Sequence, residues 1–551
     1  MRLAMLAACA LALPSLAAAQ HVDLRSSEVT RAFEVVRPEA LEAHVRFLAD
    51  DLLEGRGTAT RGYDLAARYV ATQFAGAGLE PGVSGEWFQP VPLRRTALES
   101  ATVTLVRKGR ERRLVLHQDF VASGDPNRAV SEVAAPVMFV GFGITAPELG
   151  YDDFAKIDAR GRIVAVLSGA PPSFPPDQRA HYSNGKNKDA NLIAHGAIGV
   201  LTIRTPVDEQ RSTWERTVRQ SRLPAMRWLD DEGRPRDGFP ELKGSVLLHR
   251  RAAEALFEGA PRTLEQVFAA GEAGEPQAFA LPVEVRLRRR SRLADVASPN
   301  VVGLLRGSDP KLRDEVIVYS AHLDHLGIST PVEGDSINNG AFDNATGIAA
   351  MIEVARAFAS AKQRPRRSIL FVAVTAEEKG LVGSDYFAEH PPVPIGDIVA
   401  DINLDMFVMI HPMKDLIAYG AEHSSLGPIA RQAVERVGLK LGPDPSPEEV
   451  VFVRSDQHSF VRRGVPAVFM VHGHDSGDPE HPGEEAISQW RKTIYHSPQD
   501  DLSQPLDLDA FLRFTRAAWA IGYVVARQTA RPTWNAGDFF GDRFGPRAAS
   551  P

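Results

Sequence analysis

The sequence predicts an α/β protein: an α/β/α sandwich on a mainly parallel central sheet, interrupted by an inserted β-rich domain. Three observations carry this. From about 283 to 530, short apolar runs alternate with longer amphipathic ones, the strand-then-helix order of a parallel sheet covered on both faces. Runs such as 369–374 are apolar throughout, as strands buried on both faces require. From about 98 to 282 the texture changes to short strands separated by turns.

The elements follow in order. The opening MRLAMLAACALALPSLAAAQ joins the basic Arg2, an apolar run and Ala17-Ala18-Ala19 before Gln20, and predicts a signal peptide over 1–19. Cys9, the only cysteine, lies inside that segment, with too short an apolar run before it for a lipoprotein processing site. A mature chain from Gln20 would have no disulfide, and a metal site in it would have to use His, Asp and Glu. No later run approaches the roughly 20 apolar residues of a membrane span. The product is expected to be exported, to the periplasm or the extracellular space.

Two helical patterns follow, PEALEAHVRFLADDLL and GYDLAARYVATQFAGAGL, the second with apolar positions at Leu65, Tyr69, Val70 and Phe74. Residues 20–97 and 283–530 are expected to form one body and 98–282 an insertion. The Gly-, Pro- and Arg-rich residues 531–551 are expected to be a loosely ordered tail. In the insertion, PVMFVGFGI and RIVAVLSG read as buried strands and NKDANLIAHGAIGVLTI as a helix running into a strand. The 551 residues, 44% hydrophobic and 24% charged, are of ordinary globular composition. The net charge of −7, from 63 basic and 70 acidic residues, gives no reason to expect nucleic acid or an anionic membrane as partner.

Chemistry collects at the carboxyl ends of the later strands, the edge where open α/β sheets build their sites. EVIVYSA runs into His322-Leu323-Asp324, SILFVAVTA ends in Glu377-Glu378, and IVADINLDM delivers Asp405. INNGAFDNATG sets Asp343 in a turn before a helix, and TIYHSPQDD supplies His496 in a loop. Imidazole and carboxylate suit zinc where no thiolate is at hand. Two cations about 3.5–4 Å apart need a shared anionic bridge, which an Asp held in a turn can supply. His322, Asp343, Glu378, Asp405 and His496 make five ligands for two ions and a shared water. Glu377 is left beside that water as general base, and Asp324 is expected to accept the second N–H of His322.

SAHLDHLG, NNGAFDNATG, VTAEEKGLVGS, NLDM and YHSPQDD, in this order, resemble the two-zinc exopeptidase family that includes aminopeptidase Y, bacterial leucyl aminopeptidases and glutamate carboxypeptidase. The resemblance covers roughly 35–95 and 285–530. The middle block, with FVGFGI, GYDDF, GRIVAVL and KDANLIAHGAIGVLTI, resembles the protease-associated domain often inserted in that family. The resemblance implies peptide substrates and two Zn2+ ions, with His322 and Asp405 on one, Glu378 and His496 on the other, and Asp343 on both. It implies an aminopeptidase in which Glu377 activates the water shared by the ions.

The family commonly shows Ser-Asp-His where this chain reads Ser455-Asp456-Gln457-His458, so His458 is given no role and Asp456 is a candidate for the pocket wall. The loop VHGHDSGDPEHPGEEAISQW carries His472, His474 and His481, read as a lid or surface loop in preference to an extra cation site. His325, His390 and His411 are given structural roles, His325 being close enough to His322 to line the cleft. Other readings stay open. A carboxypeptidase of the same fold needs a basic clamp, for which Arg454 or Lys379 are candidates. A glutaminyl-cyclase-like acyl transferase needs one zinc, and a receptor-like binding protein needs none. Oligomeric state is not legible.

Overall fold

The central strand Val316–His322 shows why this chain builds a two-sided sheet. Ile317, Tyr319 and Ala321 enter one apolar cluster and Val316 and Val318 another, all at most 2% exposed. In the computed structural model, which describes residues 22–546, the strands Ser368–Val374 and Ile398–Leu404 run parallel to it on either side. Ala467–His472 continues the parallel set, and Asp415–Tyr419 and Ala278–Leu305 flank it antiparallel. The expected signal peptide 1–19 and Cys9 lie outside the described residues.

Helices cover both faces, as the unbroken apolar strands demand. Thr346–Ala359 is buried on nearly every side and packs through Ile348, Met351, Ile352 and Phe358 into the same cluster as Phe511, Phe514 and Trp519 of Leu508–Arg527. On the opposite face Val382–Glu389 and Gln457–Val461 insert Phe387 and Phe460. Full burial of such side chains contributes about 1.5–3 kcal/mol each. Among the described residues no helix is long and apolar enough to cross a membrane.

The sheet does not stop at the expected domain boundaries. Phe88–Arg107 and Ala278–Leu305 pair antiparallel from Phe88 opposite Val301 to Val106 opposite Glu284, with one irregularity at Arg290/Ser291. Positions 97/98 and 282/283 both lie inside these strands. The run from Arg94 to Ser100 is a continuous part of the strand, with Thr96 buried and Glu99 and Ser100 exposed. The long ribbon carries the inserted stretch as an extension of one 16-stranded sheet.

That extension contains the parallel strands Val130–Val140, Ile163–Leu167, Gly199–Ile203 and Ser245–Leu248. Six helices lie between Pro176 and Glu272, so the stretch is mixed α/β where a β-rich one was expected. Several of those helices are short and weakly periodic, which hides them from a pattern search. The tail also differs from expectation. Trp534, Phe539, Phe540 and Phe544 pack against Phe452 and Val461, and Phe540 is 1% exposed at the start of the helix Phe539–Phe544. Four aromatics anchor what its Gly, Pro and Arg content suggested was loose.

His458, in the helix Gln457–Val461, is 3% exposed and its Nε2 has no partner. Burial pushes its imidazole down to about 3, helped by Arg462, His181 and Lys186. An unfolded histidine titrates near 6.5. As pH falls below that value the unfolded chain takes up a proton that the native chain refuses, so stability present above about 6.5 is lost toward pH 3. The expected slope reaches about 1.4 kcal/mol per pH unit for this one proton. His458→Gln should reduce the difference in urea stability between pH 7 and pH 5; an unchanged difference would count against this assignment.

Candidate metal centre

Parallel register brings three strand ends to one edge. His322 is the last residue of Val316–His322 and lies opposite Val374, while Ser320 lies opposite Asn403, two residues before Asp405. After Val374 the chain turns sharply, with Ala376 at φ 55. That left-handed residue is uncommon for a side chain larger than glycine, and it directs Glu377 and Glu378 back over the edge. Asp343 enters from the turn before Thr346–Ala359. Gly340 there has φ +61, and a Cβ would sit 2.1 Å from the Asp343 carbonyl oxygen, so only glycine fits.

All five expected ligands converge. Nε2 of His322 lies 2.9 Å from Oδ1 of Asp405 and 3.1 Å from Oδ1 of Asp343. Nε2 of His496 lies 3.1 Å from Oδ2 of Asp343 and 3.3 Å from Oε2 of Glu378. The two oxygens of Asp343 therefore face two different groups. His322, Asp343 and Asp405 offer one potential cation site, and His325, Asp343 and Glu378 a second. Asp343 Oδ2, Glu378 Oε1 and both ring nitrogens of His325 are buried and make no well-aligned hydrogen bond, although Asp343 Oδ2 approaches His496 and Glu378 Oε1 approaches His325 Nδ1. Buried polar atoms are rarely left so, and this all-nitrogen-and-oxygen donor set suits zinc.

His325 is the residue that sequence reasoning passed over. It is fully buried, and its Nδ1 lies 2.7 Å from Glu378 Oε1 and 3.7 Å from Asp343 Oδ2. Its spacing of three from His322 was a usable signal, but the structural reading of a buried histidine outweighed it.

Asp324 has a different partner from the one expected. His322 Nδ1 donates to the backbone carbonyl of Asp324 at 2.9 Å, which still leaves Nε2 facing the site. The carboxylate of Asp324 accepts instead from the Glu377 backbone N–H at 3.0 Å and from the Thr58 hydroxyl at 2.8 Å. The two-residue spacing brings the backbone of Asp324, not its side chain, to the imidazole. Asp324 thus holds the turn that presents Glu377.

Three further groups hold the ligands. Ser455 donates to Asp405 Oδ2 at 2.6 Å. Asp500 accepts from the backbone N–H groups of Phe342 and Asp343 at 2.9 and 3.0 Å, and burial pushes its carboxyl up to about 6. Arg56, 1% exposed, donates to the carbonyls of Leu323 (2.9 Å), Asn339 (2.6 Å), Gly340 (3.0 Å) and Leu48. Burial pulls its guanidinium down to about 10 against the carboxylates of Asp500, Asp343, Asp324 and Glu378.

Charge is distributed unevenly. Burial alone would raise Asp343, but His325, His322 and His496 beside it hold its carboxyl well below the usual range. Burial would likewise raise Glu378, but His496 and His325 outweigh it. Glu377 goes the other way: burial, with Glu378, Asp456 and Asp405 beside it, lifts its carboxyl well above the ordinary value against the pull of His322. Of two adjacent glutamates, the surroundings lower one carboxyl and raise the other. Asp456, fully buried, is pushed up to about 7 by its burial, with Asp405 and Asp324 nearby.

The remaining candidates spread out. His472 and His474 stack at 5.9 Å, while His481 is exposed and pairs with Asp478 at 2.9 Å, so the three form no common site. His390 packs against Tyr386 and Trp228, and Nδ1 of His411 contacts the Pro412 carbonyl oxygen. Arg454 lies 3.5 Å from Glu449, and the carbonyl of Lys379 accepts from Arg227 of the inserted stretch.

Residues 300–522 match the model of Peptidase family M28. The aminopeptidase NAALADL1 of Mus musculus is 32% identical over 164 residues, which are 28% of this chain and 20% of that protein. A probable zinc metalloprotease of Pyrenophora teres f. teres (strain 0-1) is 36% identical over 106 residues, 19% of this chain and 22% of that protein. The chain thus spans about a fifth of the length of these two relatives. The structure of an aminopeptidase from Aneurinibacillus sp. strain AM-1 superposes with a TM-score of 0.54 at 19% identity, covering 91% of this chain and 96% of that one, a likeness of fold.

Proposed function

We propose, from the match of residues 300–522 to the model of Peptidase family M28, that this chain is an exported, zinc-dependent aminopeptidase acting on peptides. The observation that carries the reading is Asp343, whose Oδ1 faces His322 and whose Oδ2 faces His496. One zinc would be held by His322 and Asp405, the other by Glu378 and His496, and Asp343 would be shared. Bound zinc would acidify water and polarise the scissile carbonyl.

The chain's own part in hydrolysis falls to Glu377. Its carboxylate stands beside the centre outside the set that faces the histidines, which places it to take a proton from the attacking water as the new C–O bond forms. It would return that proton to the leaving amine as the C–N bond breaks. Asp324 fixes its position through the backbone N–H. Export is supported by the run ending Ala17-Ala18-Ala19.

The test is mass spectrometry of a mixed peptide library after incubation with purified protein supplied with zinc. Products shortened from the amino end alone are expected. Shortening from the carboxyl end would move the assignment to a carboxypeptidase and direct attention to Arg454. An untouched library would contradict peptide hydrolysis.

Zinc removal gives a second test. Chelation should abolish turnover and lower the melting temperature, because zinc at a thousandfold excess over its Kd stabilises the native state by about 4 kcal/mol. An unshifted melting temperature after complete removal would contradict a zinc site built into the fold.

A further inference from the structure

Nδ1 of His496 lies 2.7 Å from Nε2 of the side-chain amide of Gln220, a residue 276 positions earlier in the inserted stretch. Gln220 sits in the last turn of the helix Trp214–Ser221. One turn before it, Arg216 donates to the carbonyls of Arg491 (2.9 Å) and Lys492 (2.7 Å). Those carbonyls close the helix Gly483–Thr493, whose chain leads directly into His496. The helix of the insertion is therefore seated at the point where this ligand leaves its own helix.

We propose that Gln220 is a positioning residue for His496, so that the inserted stretch completes the half of the metal centre formed by His496 and Glu378. The inference rests on the two-zinc reading above and adds a residue to it. An imidazole that binds a cation through Nε2 keeps its proton on Nδ1, and that N–H needs an acceptor to fix the ring's tautomer and direction. The structure turns Nε2 of Gln220 toward Nδ1; a half-turn about the last side-chain bond exchanges the two amide atoms and presents Oε1, the acceptor that a metal-bound imidazole needs, at that place. His496 also stands at φ +57 in a loop, an uncommon backbone conformation for a residue with a side chain. The neighbouring contacts keep the insertion in place. Arg211 pairs with Glu449 at 2.6 Å, Trp228 donates to Asp385 at 2.8 Å, and Lys186 donates to the Gly380 carbonyl at 3.3 Å.

The experiment is calorimetric titration of the metal-free full chain with zinc alone, comparing the unaltered protein, Gln220→Ala and Gln220→Glu. Gln220→Ala should weaken one of two zinc sites by about 10–100-fold and leave the other within about threefold. Its metal-free melting temperature should be unchanged. Gln220→Glu, which restores an acceptor of the same length, should recover the affinity to within about threefold. Equal affinity in the unaltered protein and Gln220→Ala would overturn the inference while leaving the two-zinc reading intact. Loss at both sites together, or no recovery in Gln220→Glu, would also overturn it by assigning Gln220 a packing role. An unaltered protein that binds fewer than two zinc ions would overturn the two-zinc reading, and this inference with it.

Discussion

Glu377→Gln is expected to lower turnover by about 10²–10⁴ while zinc content stays that of the unaltered protein. The substitution keeps the size of the side chain and its place after the turn at Ala376 but removes its capacity to accept a proton. Two features single out this glutamate from its neighbour. Asp324 grips its backbone N–H, and it is not among the carboxylates facing His496 or His325. Steady-state kinetics with parallel metal analysis checks this. A variant retaining more than about a tenth of the activity would remove Glu377 from the role of base.

Arg56→Leu should be the most destabilising single change near the centre, at about 4 kcal/mol or more in chemical denaturation. It leaves up to four buried carbonyl oxygens short of a donor, each worth about 1–3 kcal/mol. It also strips a buried cation from beside Asp324, Asp343, Glu378 and Asp500, whose carboxylates then repel with less relief. Arg56→Lys should recover only part of the loss, because one ammonium cannot reach carbonyls on three separate segments. A loss below about 1 kcal/mol in the leucine variant would show that those carbonyls find other partners.

That His322, Asp343, Glu378 and Asp405 meet at one sheet edge is legible because each stands at the end of a patterned stretch, whereas His496 lies in a loop. His322, Glu378 and Asp405 end apolar runs that can be nothing but buried strands, and the turn around Asp343 is marked by Gly340 and its asparagines. The groups that hold the ligands left no such mark. Arg56 lies in a short irregular stretch, and a lone arginine between glycines gives no sign that it will be buried under carbonyls. Gln220 is one polar residue on a short helix, brought to His496 only by the docking of the inserted stretch. Asp324 was found by its spacing, yet its role depended on which atom meets the imidazole, and spacing does not carry that.

The architecture shows the same division. Periodicity identified the parallel sheet and the helix Thr346–Ala359, since both are properties of local sequence. It places boundaries at 97/98 and 282/283 because the texture between them changes to short strands separated by turns. Continuity across them comes from the pairing of Phe88–Arg107 with Ala278–Leu305, segments nearly two hundred residues apart in the chain. The tail was misread for a related reason: Phe540 is buried only because Phe452 and His423 provide a socket for it.

The most direct test of the shared-bridge centre is anomalous diffraction at the zinc edge from crystals of the full chain grown with zinc. The account predicts two peaks about 3.5–4 Å apart. One should lie against His322 and Asp405, the other against Glu378 and His496, with Asp343 between them. A single peak, or two peaks that do not share Asp343, would contradict it.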